Sequence, residues 1–211
     1  FNLALASWRF APDLLREEKP LPKLNLAICG QAPMGTREEW LAVLDGRGVQ
    51  DLRFFMGALY DHFQTAPVLG SLINPVRLLG GLFDSSRLQQ LLTAVDTAIE
   101  ESHPNLGDRY ETGVVAQGLA KAVELLAGHY HLVATNVPYL ARGKQEEPLR
   151  EYIERVYPRG KADLATAFVS RSREFLTEGG SAALVTPQNW LFLKSYQKLR
   201  EELLVNVQWD W

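Results

Sequence analysis

Apolar residues recur at helical spacing along positions 36–126 and give way to short continuous runs after Gly128, so a helical stretch precedes one of mixed strands and helices. The helical stretch predicts helices over 38–44, 52–64, 86–101 and 108–126, with breaks at 45–48, 67–75, 80–81 and 103–107. Positions 68–83 are apolar but rich in Gly and Pro, and they read as a packed loop or a partner-facing surface. Upstream, Leu3, Leu5, Ala6, Phe10, Leu14 and Leu15 suit a helix over 1–15 that Pro12 ends or kinks, followed by a linker at 19–22. The apolar run 24–29, closed by Gly30, reads as a buried strand.

Downstream the pattern predicts a strand over 131–135, a helix over 148–157 and a longer helix over 163–177, with Gly179 and Gly180 as a left-handed helix stop. A strand over 181–186, a helix over 195–204 and a last strand over 205–211 complete it. Alternation of strand and helix is the signature of an α/β layered domain with a largely parallel sheet. The chain opens at Phe1 in an apolar helical pattern, without Met, and stops at Trp211 after a strand-like stretch. It therefore reads as an internal segment of a longer polypeptide.

Composition narrows the function classes. With 46% hydrophobic and 22% charged residues over 211 positions, the chain suits a globular protein with one substantial core. Its 22 basic and 25 acidic residues give a net charge of −3, without the positive bias of a self-sufficient nucleic-acid binder. Cys29 is the single cysteine and the four histidines are scattered, so neither a disulfide framework nor a zinc site is predicted, and no metal is expected. No run is long and apolar enough for a membrane span, and a reducing cytoplasmic setting is expected.

In open α/β sheets, ligands bind beyond the carboxyl ends of the strands. The residues after the 131–135 strand are Asn136, Val137, Pro138 and Tyr139. Pro138 restricts Val137 to extended backbone and so fixes where its carbonyl points. The Asn136 side-chain oxygen and the Val137 carbonyl can each accept a hydrogen bond from an NH2 on a flat ring, leaving the nitrogen lone pair free to attack a methyl sulfonium. Tyr139 can stack on that ring. The reaction needs no strong base, because the accepting oxygens stabilise the positive charge developing on nitrogen.

The stretch Val133-Ala134-Thr135-Asn136-Val137-Pro138-Tyr139 resembles the Asn-Pro-Pro-Tyr motif of the N6-adenine and related amino-methyltransferases. Downstream, Lys161-Ala162-Asp163-Leu164-Ala165-Thr166-Ala167-Phe168, then the series Gly179 through Trp190 and Tyr196-Gln197-Lys198-Leu199-Arg200, is similar to the large restriction-modification and phage-defence methylases of the Eco57I and PglX type. The resemblance runs over about 129–204 and weakly covers 24–31. It implies a partial Rossmann-like, S-adenosylmethionine-dependent methyltransferase sheet in an α/β fold, with core at 1–35 and 128–211 and a helical insertion at 36–127. The implied activity is transfer of a methyl group from S-adenosylmethionine to N6 of an adenine flipped out of double-stranded DNA. The intact protein carries that activity and this segment alone is expected to be inactive.

By the same resemblance, Asn136 and the Val137 carbonyl receive the target amine, Tyr139 stacks on the base, and Asp163 and Phe168 border the methyl-donor pocket. Gln31 follows Gly30 where the family often has Gly-Asp or Gly-Asn at the cofactor's adenine, and Val137 replaces the motif's first proline. The family's glycine-rich donor loop is expected upstream of Phe1; Asp45-Gly46-Arg47-Gly48 lies between two helices and reads as a turn.

Plainer roles stand beside these. Asp163 also suits an N-cap, Phe168 suits core packing, and Trp190 and Phe192 suit either packing or the lining of a base pocket. His129 and His131 read as structural. The mixed charges from Arg142 to Lys161 suit a solvated face, with Arg142 and Lys144, just after the motif, placed to meet a DNA phosphate. The same turn serves methylation of protein glutamine and of adenine in RNA. A catalytically silent module that docks a partner protein through the 36–126 helices is the reading from another class.

Overall fold

In a computed structural model, residues 25–46, 50–101 and 108–209 are described. The predicted helix over 1–15 and linker at 19–22 lie outside the described residues, as do Leu24, Arg47, Gly48 and Trp211.

Helix α1, Arg37–Ala42, starts on a reciprocal cap: the Glu39 amide donates to Thr36 Oγ1 at 3.2 Å and the Thr36 amide to Glu39 Oε2 at 2.7 Å. These bonds satisfy two of the amides that a helix start leaves unpaired. Helix α2, Gln50–Phe63, buries Leu52, Phe55, Met56, Leu59 and Phe63, one face at helical spacing. The apolar 68–83 stretch, expected to be loop or surface, folds into α3, Ala66–Leu69, and α4, Pro75–Leu79, each followed by a 3₁₀ turn. Pro67 and Pro75 occupy first-turn positions, where a missing N–H costs nothing, which is why Pro there opens helices instead of preventing them. Leu69, Leu72, Ile73 and Leu79 all point inward. Helix α5, Ser85–Glu101, and α6, Asp108–Ala127, pack against each other.

Strand β1, Tyr130–Asn136, then leads into the 3₁₀ turn Arg142–Lys144, helix α7, Glu147–Val156, and helix α8, Leu164–Glu174. Strand β2, Leu176–Val185, returns parallel to β1, pairing from Leu132 with Ser181 to Asn136 with Val185. Two 3₁₀ turns, Gln188–Leu191 and Lys194–Tyr196, precede α9, Gln197–Asn206.

Three expectations are corrected here. The long helix does not run to 177: α8 ends at Glu174, and Gly179 and Gly180 sit inside β2, where the register slips between Tyr130 and Leu132. Gly179 has φ +73°, and a Cβ on Gly180 would stand 2.9 Å from the Tyr130 carbonyl oxygen, so this bulge is closed to larger residues. The run at 25–29 forms no strand; Leu26 and Ile28 are 59% and 67% exposed. The last strand is absent among the described residues, because α9 continues through Val205 and the Val207 amide still donates back to Leu203. A strand exists through its ladder, and among the described residues β1 and β2 pair only with each other.

One hydrophobic core joins the helices of 36–127 to α7 and α8: Trp40, Phe55, Phe63, Leu91 and Val123 share it with Ile153, Tyr157 and Ala167. Arg171 of α8 crosses it at 1% exposure, donating to the carbonyls of Ser71 (3.2 Å), Ile73 (2.8 Å) and Leu126 (2.6 Å) and to Glu174 (3.2 Å). Its guanidinium lies 3.8 Å from the centre of the Phe175 ring. Glu174 in turn meets Arg77 at 2.6 Å, Asn74 at 2.7 Å and the Tyr157 hydroxyl at 3.1 Å. Burial pulls the Arg171 pKa down and pushes the Tyr157 pKa far up; Glu174 opposes the first shift and adds to the second. A smaller cluster joins Val169 of α8 to Trp190, Tyr196, Leu199 and Leu203.

Candidate active site

The Asn136 to Tyr139 turn leaves β1 at its carboxyl end, where β2 ends beside it at Val185. Tyr139 folds back so that its hydroxyl lies 3.2 Å from Asn136 Oδ1 and 3.4 Å from the Val185 carbonyl. The phenol is thereby anchored at its tip while the residue stays 52% exposed. Asn136 is exposed, and its amide oxygen has a second lone pair for an incoming donor. Val137 is buried at 3%, and among the described residues its carbonyl accepts no hydrogen bond. A carbonyl without a partner is one a ligand N–H can satisfy.

Main-chain bonds hold the turn in place. The Leu164 amide donates to the Leu140 carbonyl at 2.9 Å, the Arg142 amide donates to the Ala162 carbonyl at 3.1 Å, and Ala141 bridges Asp163 in antiparallel fashion. The residues after Tyr139 are thus stitched to the start of α8. Behind them, a Cβ on Gly160 would stand 2.6 Å from the Thr166 carbonyl oxygen, so only glycine lets the preceding loop pass this close to α8.

Asp163 is the N-cap of α8, its carboxylate accepting from the Ala165 amide at 2.8 Å. Replacement by Ala is expected to lower stability by about 1 kcal/mol in chemical denaturation, and Asp163→Ser to recover most of it. An equal loss in both variants would mean that the cap is not what Asp163 contributes.

The remaining predicted site residues do not converge. Phe168 packs on the main core. Gln31 lines a groove between the 26–33 segment, α5 and α6, with Thr93, Asp96, Gln117 and Lys121, and no residue of the turn lines that groove. Arg142 is paired: it donates to Glu154 at 2.6 Å and holds that carboxyl below its ordinary range. Lys144 is exposed and has no ion pair among the described residues. Trp190 is buried, donating to Thr186 Oγ1 at 2.9 Å, whereas Phe192 faces outward. Sequence reasoning missed the Val185 carbonyl, which joins the site through strand register alone, and the 140–142 clamp, which uses backbone and leaves no side-chain signal. Among the described residues, no cluster of metal-ligating side chains occurs and no helix is long and apolar enough to cross a membrane.

The described residues hold a two-stranded parallel sheet with the Asn-Val-Pro-Tyr turn at its carboxyl end, and comparison with known proteins supplies the family. The chain belongs to the Eco57I restriction-modification methylase family, whose profile matches residues 61–210. Among its relatives is the adenine-specific methyltransferase PglX of Lacticaseibacillus casei (strain Zhang), 26% identical over 141 residues, 67% of this chain and 11% of that protein. The adenine-specific methyltransferase BrxX of Escherichia coli O9:H4 (strain HS) is 37% identical over 82 residues, 39% of this chain and 7% of that protein. The chain thus spans about a tenth of the length of these curated relatives.

Proposed function

We propose that the full-length protein is a site-specific DNA methyltransferase that methylates N6 of a flipped adenine in a restriction-modification or phage-defence system. The observation that carries this reading is the turn itself: an exposed Asn136 amide, the unpaired Val137 carbonyl and an anchored, half-exposed Tyr139 meet at one strand end. Asn136 and Val137 accept the two amine hydrogens and hold the lone pair clear of the ring; Tyr139 stacks on the base. Stacking of this kind contributes roughly 1–3 kcal/mol, the same order as the few kcal/mol needed to unstack and unpair a base. Charge developing on the amine is stabilised by two oxygens already in place, so no side chain has to move at the moment of reaction.

S-adenosylmethionine is the donor implied by family membership. Gln31, Asp163 and Phe168 remain the residues of this segment proposed to border its pocket, the first from a groove wall, the second from the start of α8 and the third from beside the core. The glycine-rich donor loop is assigned to the remainder of the full-length protein. In this reading β1 and β2 belong to a Rossmann-like sheet, residues 1–35 and 128–211 contribute to that core, and residues 36–127 form a helical insertion. The protein works in the cytoplasm on double-stranded DNA, with Lys144 a phosphate contact and Arg142 another once released from Glu154.

Single-molecule sequencing of DNA from a host carrying the full-length gene tests the reading. N6-methyladenine at one recurring sequence motif, absent from the same host without the gene, is the expected result. Unmodified DNA, together with methylation of RNA or of a glutamine side chain by the purified protein, would overturn it.

A further inference from the structure

The loop after β2 presents an aromatic that the catalytic turn does not use. Phe192 is 63% exposed, flanked by the half-exposed Leu191 and Leu193. A single exposed apolar residue is ordinary. Here, however, the backbone that carries it is fastened on both sides: Arg200 of α9 donates to the Trp190 carbonyl at 2.7 Å and to the Leu193 carbonyl at 2.8 Å. The Phe192 and Leu193 amides both return to the Asn189 carbonyl, at 3.3 and 3.0 Å. Trp190 on one side and Tyr196 on the other are buried in the cluster behind the loop. The chain thus holds the loop still and leaves the Phe192 ring in solvent.

Position and charge indicate what meets that ring. The segment follows β2, which ends at Val185, the residue whose carbonyl touches Tyr139, so it leaves the same carboxyl edge of the sheet as the turn. Lys194 and Lys198 follow the aromatic; both are exposed, and neither has an ion pair among the described residues. The neighbouring guanidiniums are committed elsewhere: Arg142 to Glu154, and Arg159 and Arg173 to Glu202. Burial opposes ionisation of Glu202, yet those two arginines keep its carboxyl below the ordinary range, and both are held at that one carboxylate. An exposed, rigidly mounted aromatic beside unpaired lysines is the pairing of stacking platform and phosphate contact by which proteins hold nucleic-acid strands.

We infer that residues 188–198, the turns after β2 and the start of α9, are a second DNA contact, in which Phe192 stacks on a nucleobase of the bound strand and Lys194 and Lys198 meet its phosphates. This rests on the methyltransferase reading above and adds a binding element to it. The test uses the full-length protein and a duplex carrying the motif found by sequencing. Phe192→Ala should raise the KM for DNA about tenfold with a smaller change in kcat. Phe192→Tyr should restore KM, and Phe192→Leu should not. The Lys194→Ala, Lys198→Ala double variant should flatten the slope of log affinity against log salt by about two. An unchanged KM in Phe192→Ala, rescue by Leu equal to rescue by Tyr, or a matching loss of thermal stability would overturn the inference while wild-type methylation leaves the function standing. A wild type that does not methylate DNA overturns both.

Discussion

Full-length protein carrying Asn136→Ala will lose methylation of adenine while keeping its fold. In the proposed reading the substitution removes one of two acceptors for the target amine, and loss of one preorganised group of this kind costs about 10²–10³ in kcat. Asn136 is exposed, and the side-chain hydrogen bond it makes in the structure is with the Tyr139 hydroxyl, so stability should move by no more than about 0.5 kcal/mol. Radiolabel transfer to duplex DNA, measured beside a denaturation curve, separates the two effects. Full activity in the variant would remove the turn from the mechanism. Asn136→Asp retains an acceptor and should stand between wild type and Ala.

The second large effect is structural. Arg171→Met should destabilise the protein by about 3–5 kcal/mol, the range for breaking a buried charged network by removing one partner. The change leaves the Ser71, Ile73 and Leu126 carbonyls without their donor and takes away the buried counter-charge of Glu174. Arg171→Lys should recover only part, since an ammonium has three donors on one atom and cannot span three carbonyls and a carboxylate as the guanidinium fork does. Chemical denaturation measures both. A loss under about 1 kcal/mol for Met would show that the network is dispensable.

Legibility in the sequence followed locality. The helices Gln50–Phe63, Ser85–Glu101 and Asp108–Ala127 were readable because a buried stripe at 3.6-residue period is a property of neighbouring residues. The short helices Ala66–Leu69 and Pro75–Leu79 were masked by Pro and Gly, which serve there as starts and stops. The start of β2 was assigned to a helix because Phe175 and Leu176 continue the apolar spacing of α8, and nothing before folding reveals that Leu176 will pair with Tyr130. At the site, Asn136 to Tyr139 stood out because four adjacent residues carry the chemistry. Gln31 lies far along the chain from Asp163 and Phe168, which share the start of α8, and adjacency gives no signal that would link the first to the other two. Arg171 sits in the polar-looking Ser170-Arg171-Ser172-Arg173, where the full burial of Arg171 beside the partly buried Arg173 is invisible without the partner carbonyls.

The stitching of residues 140–142 to 162–164 has a consequence for how such enzymes diversify. Because amides and carbonyls make the clamp, the exposed side chains of Ala141 and Arg142 are free to vary, proline at Arg142 excepted, where the amide is in use, whereas Asp163 caps α8 and Leu164 is buried. Arg142 and its neighbours can therefore exchange charge, size or polarity from one descendant to another without shifting the Asn136 amide. Target preference can drift on a surface whose underlying geometry stays constant.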